Sequence, residues 1–305
     1  MPKNAADLET LQTALRPALH RYCARMVGSV VDGEDVVQEA MLKAYLAWPS
    51  IDKIDNPEGW LFRIAHNAAL DFIRRRLRVP ELLTEEELAM IPAPVAPDPD
   101  IAETSLRTFL RLPSLQRSAV VLKDVLGHTI EEISFEIGVS EPTAKSALQR
   151  GRVRLRELAA EPETISSPAL SDAMRLRLFV YVESFKIGDF DTVRAMLAED
   201  VKLDLVGKLQ KQGKSQVNEY YGAYAATKRW AFSAAIVDGL PAMLVYDREV
   251  SLDEPAYFVA LTFAGDKVCS IHDFLYARYA IEAISIHEVG AKPNLSYGGG
   301  FPVNH

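Results

Sequence analysis

Five basic residues and no acid lie between positions 145 and 156: Lys145, Arg150, Arg152, Arg154 and Arg156. Cations at this density bind phosphate, and side chains such as Gln149 can read the edge of a base. Lys145, Gln149, Arg152 and Arg156, with Arg150 and Arg154 beside them, form one candidate set for duplex DNA. Lys145 and Arg150 suit guanine, or phosphate if their helix tilts. A second concentration of charge lies upstream. Arg63, Arg74, Arg75, Arg76 and Arg78 stand against one acid, Asp71, within residues 60–79. The whole chain carries a net charge of −8, so this positive charge is local and points to a polyanion.

Both sets need helices to position them. Gly127-His128-Thr129-Ile130-Glu131-Glu132 predicts a helix start at which Thr129 caps and Glu132 reaches back. Gly138 supplies a turn, and Ser140 with Pro142 begins the next helix. There Ala144, Leu148, Gly151, Leu155 and Leu158 recur at the spacing of a buried stripe. Lys145, Gln149, Arg152 and Arg156 then share another face. This is a helix-turn-helix pattern, whose second helix can lie in a major groove.

The upstream block opens with Asp32, Glu34 and Asp35, acids where a helix N-terminus favours them. Val37, Met41, Ala44 and Trp48 form its buried stripe, which leaves Gln38, Glu39 and Leu42 outward. A loop rich in Asp and Pro leads to a helix over 58–78 that ends in arginines. Between the two blocks, residues 80–103 hold five prolines and seven acids with no base, the composition of an extended tether.

The phrases EDVVQEAMLKAY, GWLFRIAHNAALDFIRRR and LPSLQRSAVVLKDVLGHTIEEIS…GVSEPTAKSALQRGRVRLRE occur in that order. Together they resemble the bacterial RNA polymerase sigma factors of the extracytoplasmic-function class, across roughly residues 11–160. The resemblance implies a protein that binds core RNA polymerase, at the clamp helices of the largest subunit and at the flap, and brings it to promoter DNA. It assigns polymerase docking to Asp35, Gln38, Glu39 and Leu42. Capture of the melted −10 strand would fall to Arg63, His66, Asn67, Asp71, Arg74, Arg75 and Arg76. The −35 duplex would be read by Glu141, Thr143, Lys145, Ser146, Gln149, Arg150 and Arg152.

Beyond residue 170 the pattern changes to two amphipathic helices, a strand, a further helix carrying Tyr220, Tyr221 and Tyr224, and a run of strands read as antiparallel. FKIGDFDTVRAMLAEDVKL and ALTFAGDKVCSIHDFLYARY resemble the SnoaL-like, NTF2-like superfamily, which implies an α+β cone. Enzymes of that superfamily use an Asp or His acid/base pair in an aromatic cavity, a role for which Asp204, His272 and Asp273 are the candidates. His272 and Asp273 are neighbours on a predicted strand and so point to opposite faces. The expectation is a regulatory domain that contacts the preceding two, not an enzyme.

The expected architecture is thus multidomain: two all-α domains, the second a helix-turn-helix, followed by an α+β cone. Residues 8–79 form the first domain, 80–103 an acidic linker, 104–160 the second domain, 169–285 the cone and 286–305 a flexible tail. The two cysteines, Cys23 and Cys269, read as thiols in a reducing compartment. No apolar run reaches membrane-spanning length and no signal-peptide order opens the chain, so a cytoplasmic protein with no membrane contact is expected. No cofactor or metal is expected; His287 and His305 are isolated. Two rival classes remain. One is an operator-binding regulator that dispenses with polymerase, and the other is an enzyme whose chemistry sits in the cone.

Overall fold

The computed structural model describes residues 5–51, 53–77, 105–160, 170–225, 227–284 and 286–289. The chain divides into two compact units, Met1–Ile165 and Ser166–His305. The expected acidic linker, the tether that follows residue 160 and all but the first few residues of the expected tail lie outside the described residues.

In the first unit, helix α1 (Ala5–Val27) and helix α2 (Val30–Ala47) are joined through Gly28, whose φ of +77° favours glycine. Helix α2 starts ahead of the acids that were read as its opening. The Ser29 hydroxyl accepts the Asp32 N–H at 3.3 Å and caps it. Helix α3 (Pro57–Leu77) is capped in the same way by Asn56, whose Oδ1 accepts the Gly59 N–H at 2.8 Å. Short helix α4 (Leu106–Leu110) leads to α5 (Ser114–Val120), which runs on as a π-helical turn over Val121–Val125. Helix α6 (Ile130–Ile137) has the reciprocal Thr129–Glu132 capping box and ends at Gly138, φ +74°. Helix α7 (Glu141–Ala160) follows. Tyr22, Leu61, Phe62 and Ala65 from α1 and α3 share one continuous core with Phe109, Leu122, Ile133 and Leu148 from α4–α7.

The second unit begins with helices α8 (Asp172–Ile187) and α9 (Phe190–Ala195), separated by Gly188 at φ +76°. Strand β1 (Leu197–Leu205), strand β2 (Leu209–Gln212), helix α10 (Lys214–Ala225) and strands β3 (Trp230–Val237), β4 (Leu240–Asp247), β5 (Tyr257–Ala264), β6 (Lys267–Asp273) and β7 (Ile286–Glu288) complete it. They form a seven-stranded sheet in the order β2-β1-β6-β5-β4-β3-β7. The sheet is mixed, not wholly antiparallel, because β1 pairs with β6 in parallel. Ile286–Glu288, read from the sequence as the start of a flexible tail, instead pairs with β3 from Val237 to Ala235. Leu178, Tyr181, Val182 and Phe185 of α8 and the tyrosines of α10 fill one side of the sheet against Met243, Val245, Val259 and Ile271. This is the α+β architecture expected of the cone.

Candidate nucleic-acid interface

Helix α2 turns Val36, Val37, Ala40 and Ala44 inward at helical spacing and leaves an outward face. Asp35 is exposed there, Gln38 and Glu39 are half-buried, and Leu42 is 59% exposed. Tyr45 and Leu46, 60% and 67% exposed, extend the same face and were missed in the sequence reading. Their offsets of three and four from Leu42 were the available signal. An apolar cluster ringed by polar side chains suits a protein interface.

Helix α3 presents Arg63, Asn67, Arg74, Arg75 and Arg76 to solvent. Its terminal arginines are paired with carboxylates: Arg74 with Asp71 at 3.2 Å, Arg75 with Glu39 at 2.7 Å and Arg76 with Asp32 at 2.5 Å. Asp71 also lies 3.5 Å from Lys43. Hydrogen bonds first from Lys43 and then from Arg75 hold the Glu39 carboxyl below its usual range. Asp32, Asp35, Glu39, Phe72, Arg75 and Arg76 line an open groove of about 570 Å³ between α2 and α3.

His66 does not join this surface. It is 6% exposed, and its Nδ1 lies 2.7 Å from the Tyr22 hydroxyl and 3.4 Å from Ser118 Oγ. Burial, with the charges of Arg63 and Arg74, lowers its pKa to about 4. Its assignment to DNA is corrected accordingly: the ring is a neutral interior group. Helical spacing put it near Arg63 and Asn67 but could not reveal that the chain from α1 and α5 closes over it.

On α7, Glu141, Thr143 and Lys145 are exposed while Ser146, Gln149 and Arg150 are half-buried. Arg152 is the second correction. It is 4% exposed and grips Asp124 with two bonds, Nε to Oδ2 at 3.0 Å and Nη2 to Oδ1 at 2.5 Å. A guanidinium held bidentate in the interior cannot reach a groove. Gly151 beside it lets α7 approach α5, since a Cβ there would lie 2.6 Å from Val120 Cγ2.

In the second unit the candidate acid/base residues separate. Asp273 is fully buried, and its Oδ2 accepts the hydroxyls of Tyr220 and Tyr224 at 2.7 Å each. Its Oδ1 accepts the Leu275 N–H at 2.8 Å. Burial raises the Asp273 carboxyl, and the two tyrosine bonds pull it the other way. His272 alternates to the opposite face, in register with Asp204 on β1. Asp204 accepts a bond from Gln210 at 3.2 Å. The three therefore do not converge on one cavity.

A capped helix-turn-helix with a cationic second helix, joined in one core to a three-helix block ending in arginines, defines a DNA-binding protein of the transcription apparatus. The sequence matches the family described as Sigma-70 region 2 over residues 11–79 and Sigma-70, region 4 over residues 106–155. It is 27% identical over 293 residues to the ECF RNA polymerase sigma factor SigG of Mycobacterium tuberculosis, covering 85% of this chain and 79% of that one. It is 36% identical over 143 residues to SigM of the same species, an ECF RNA polymerase sigma factor, covering 46% of this chain and 70% of that one. The crystal structure of the M. tuberculosis extracytoplasmic function sigma factor SigJ is similar at 23% identity with a TM-score of 0.34, covering 85% of this chain and 93% of that one. The chain belongs to the extracytoplasmic-function RNA polymerase sigma factors. Its activity is promoter-specific initiation of transcription. Among the described residues, no helix is long and apolar enough to cross a membrane.

Proposed function

We propose that this sigma factor docks on the clamp helices of core RNA polymerase through the outward face of α2, reads the two promoter elements with α3 and α7, and is modulated by its second unit. Asp35, Gln38, Glu39 and Leu42, extended by Tyr45 and Leu46, form the docking face. The melted −10 strand falls to Arg63, Asn67 and Asp71, with Arg74, Arg75 and Arg76 holding its backbone. The −35 duplex falls to Glu141, Thr143, Lys145, Ser146, Gln149 and Arg150.

The observation that carries the reading is the exposed apolar trio on α2, which an operator-binding regulator working alone would not need. Replacing Leu42 and Leu46 together by Glu tests it. The full chain should lose co-elution with core polymerase while its melting transition stays in place; retained co-elution would remove α2 from the docking surface.

For the second unit, the reading assigns regulation and no chemistry. All three donors around Asp273 are satisfied, so the carboxylate ties α10 to β6 and holds the cone together. The alignment with SigG runs over 293 residues and so extends past the two promoter-reading blocks.

A further inference from the structure

Helix α8 is apolar on two sides. Leu178, Tyr181, Val182 and Phe185 turn inward to the core beneath the sheet. On the other side Leu176 is 64% exposed and Ile187 77%, and Phe179 and Val180 are exposed with them. Apolar side chains gathered on one exposed face mark an interaction surface. Their spacing says which kind. Ala173, Leu176, Val180, Glu183 and Ile187 follow one another at three, four, three and four residues. That is the narrow seam of two helices packed on each other, while the wider inward stripe is already occupied by the core.

The charges on α8 select the occupant. Asp172, Arg175 and Arg177 lie in its first half, and Glu183 and Lys186 in its second. Glu183 stands in the seam itself, half-buried, with its Oε1 2.6 Å from Lys186 Nζ. Two copies of α8 run in parallel would set Glu183 against Glu183, a repulsive pairing at the centre of the contact. Run antiparallel, each Glu183 faces the half that holds Arg175 and Arg177, and Asp172 approaches Lys186 of the second copy. The helix is thus complementary to itself in one direction only. A lipid surface fits less well, because an inserted α8 would carry Glu183 in among acyl chains.

We propose that α8 packs antiparallel on α8 of a second copy of this chain, about a two-fold axis near Val180, with Leu176, Val180 and Ile187 forming the seam. A helix of 16 residues spans about 24 Å. One seam of that length falls short of the roughly 1,600 Å² of a standard interface, so the pair forms and dissolves with concentration. The seam shares no residue with the α2 docking face or with α7, and the pairing stands apart from the assignments to polymerase and promoter.

Sedimentation velocity of the full chain under reducing conditions tests the proposal. The sedimentation coefficient should rise with protein concentration towards that of two chains. Leu176→Glu with Ile187→Glu should abolish the rise and leave the melting transition in place, since both side chains are exposed. Val250→Glu, equally exposed but outside α8, should leave the rise unchanged and so separates the seam from the effect of added charge. The direction of pairing is read from single cysteines in a Cys269→Ser chain, where Cys23 is buried. A short bifunctional maleimide should join two chains at Val180→Cys but not at Ile187→Cys, whose two copies the antiparallel pair holds about 20 Å apart. A sedimentation coefficient that does not change with concentration, or one that rises equally in the double-Glu variant, would overturn the proposal. Cross-linking at Ile187→Cys would replace the antiparallel pair by a parallel one and overturn it as well. So would co-sedimentation of the parent with phosphatidylglycerol vesicles that the double-Glu variant loses, since that would give the face to a membrane.

Discussion

Helices α3 and α7 carry similar numbers of cations, yet they spend them differently. On α3 the last arginines point outward and each meets a carboxylate, Arg75 and Arg76 reaching across to Glu39 and Asp32 on α2. On α7 the exposed Lys145 and Arg154 pair along their own helix, with Glu141 at 3.5 Å and Glu157 at 3.1 Å, while Arg152 is withdrawn to Asp124. Exposed pairs of this kind are worth about 0–1 kcal/mol and give way to phosphate, whereas the buried pair is structural. Counting positive residues on a helix therefore overstates what it can offer DNA.

The sharpest way to break the contrast is Asp124→Ala. It strands the Arg152 charge in the interior and should cost about 3–5 kcal/mol, read from the urea midpoint of the full chain. Changing both partners to apolar residues, Asp124→Leu with Arg152→Met, should restore most of the loss and leave promoter binding by the holoenzyme intact. Loss of promoter binding in that stable double variant would return Arg152 to the DNA surface.

Acid should act next, and on the histidines. His20 and His66 are pushed down by burial to about 4 from 6.5, so the unfolded chain takes up their protons first. Their contribution to stability is whole above pH 6.5 and is lost as pH falls towards 4, by up to about 3 kcal/mol for each group. Urea midpoints at pH 7 and pH 5 should differ in that direction, and His66→Gln should flatten the difference. A midpoint that rises on acidification would contradict the buried neutral ring.

The smallest effects separate the cations left for DNA, the half-buried Arg150 and the exposed Arg75. Arg150→Ala should weaken holoenzyme binding to a promoter fragment by about 1–3 kcal/mol and relax preference at one base pair. Arg75→Ala should weaken all fragments alike and reduce the salt slope by about one. The opposite pattern would exchange the roles of α3 and α7.

Local chemistry was readable in advance. The Thr129–Glu132 box, the left-handed Gly138 and strand Trp230–Val237 each follow from neighbours within a few residues. His66 and Arg152 were misread because spacing tells which residues share a face but not what folds down upon it. Ser118 lies 52 residues from His66, and Asp124 lies 28 from Arg152. The parallel pairing of β1 with β6 is hidden for the same reason, and the short edge strands β2 and β7 have too few residues to establish a period of two. Separation of His272 from Asp273 was foreseeable because strand alternation is itself local.

The π-helical turn at Val121–Val125 gives Asp124 its bearing. There the Leu126 N–H reaches the Val121 carbonyl, five residues back, at 3.2 Å. Such a turn holds one surplus residue, and excising it would rewind everything downstream by about 100°. Chain length at this one point is therefore gauged by a guanidinium on another helix, so the segment should accept exchanges of side chain more readily than a gain or loss of a single codon.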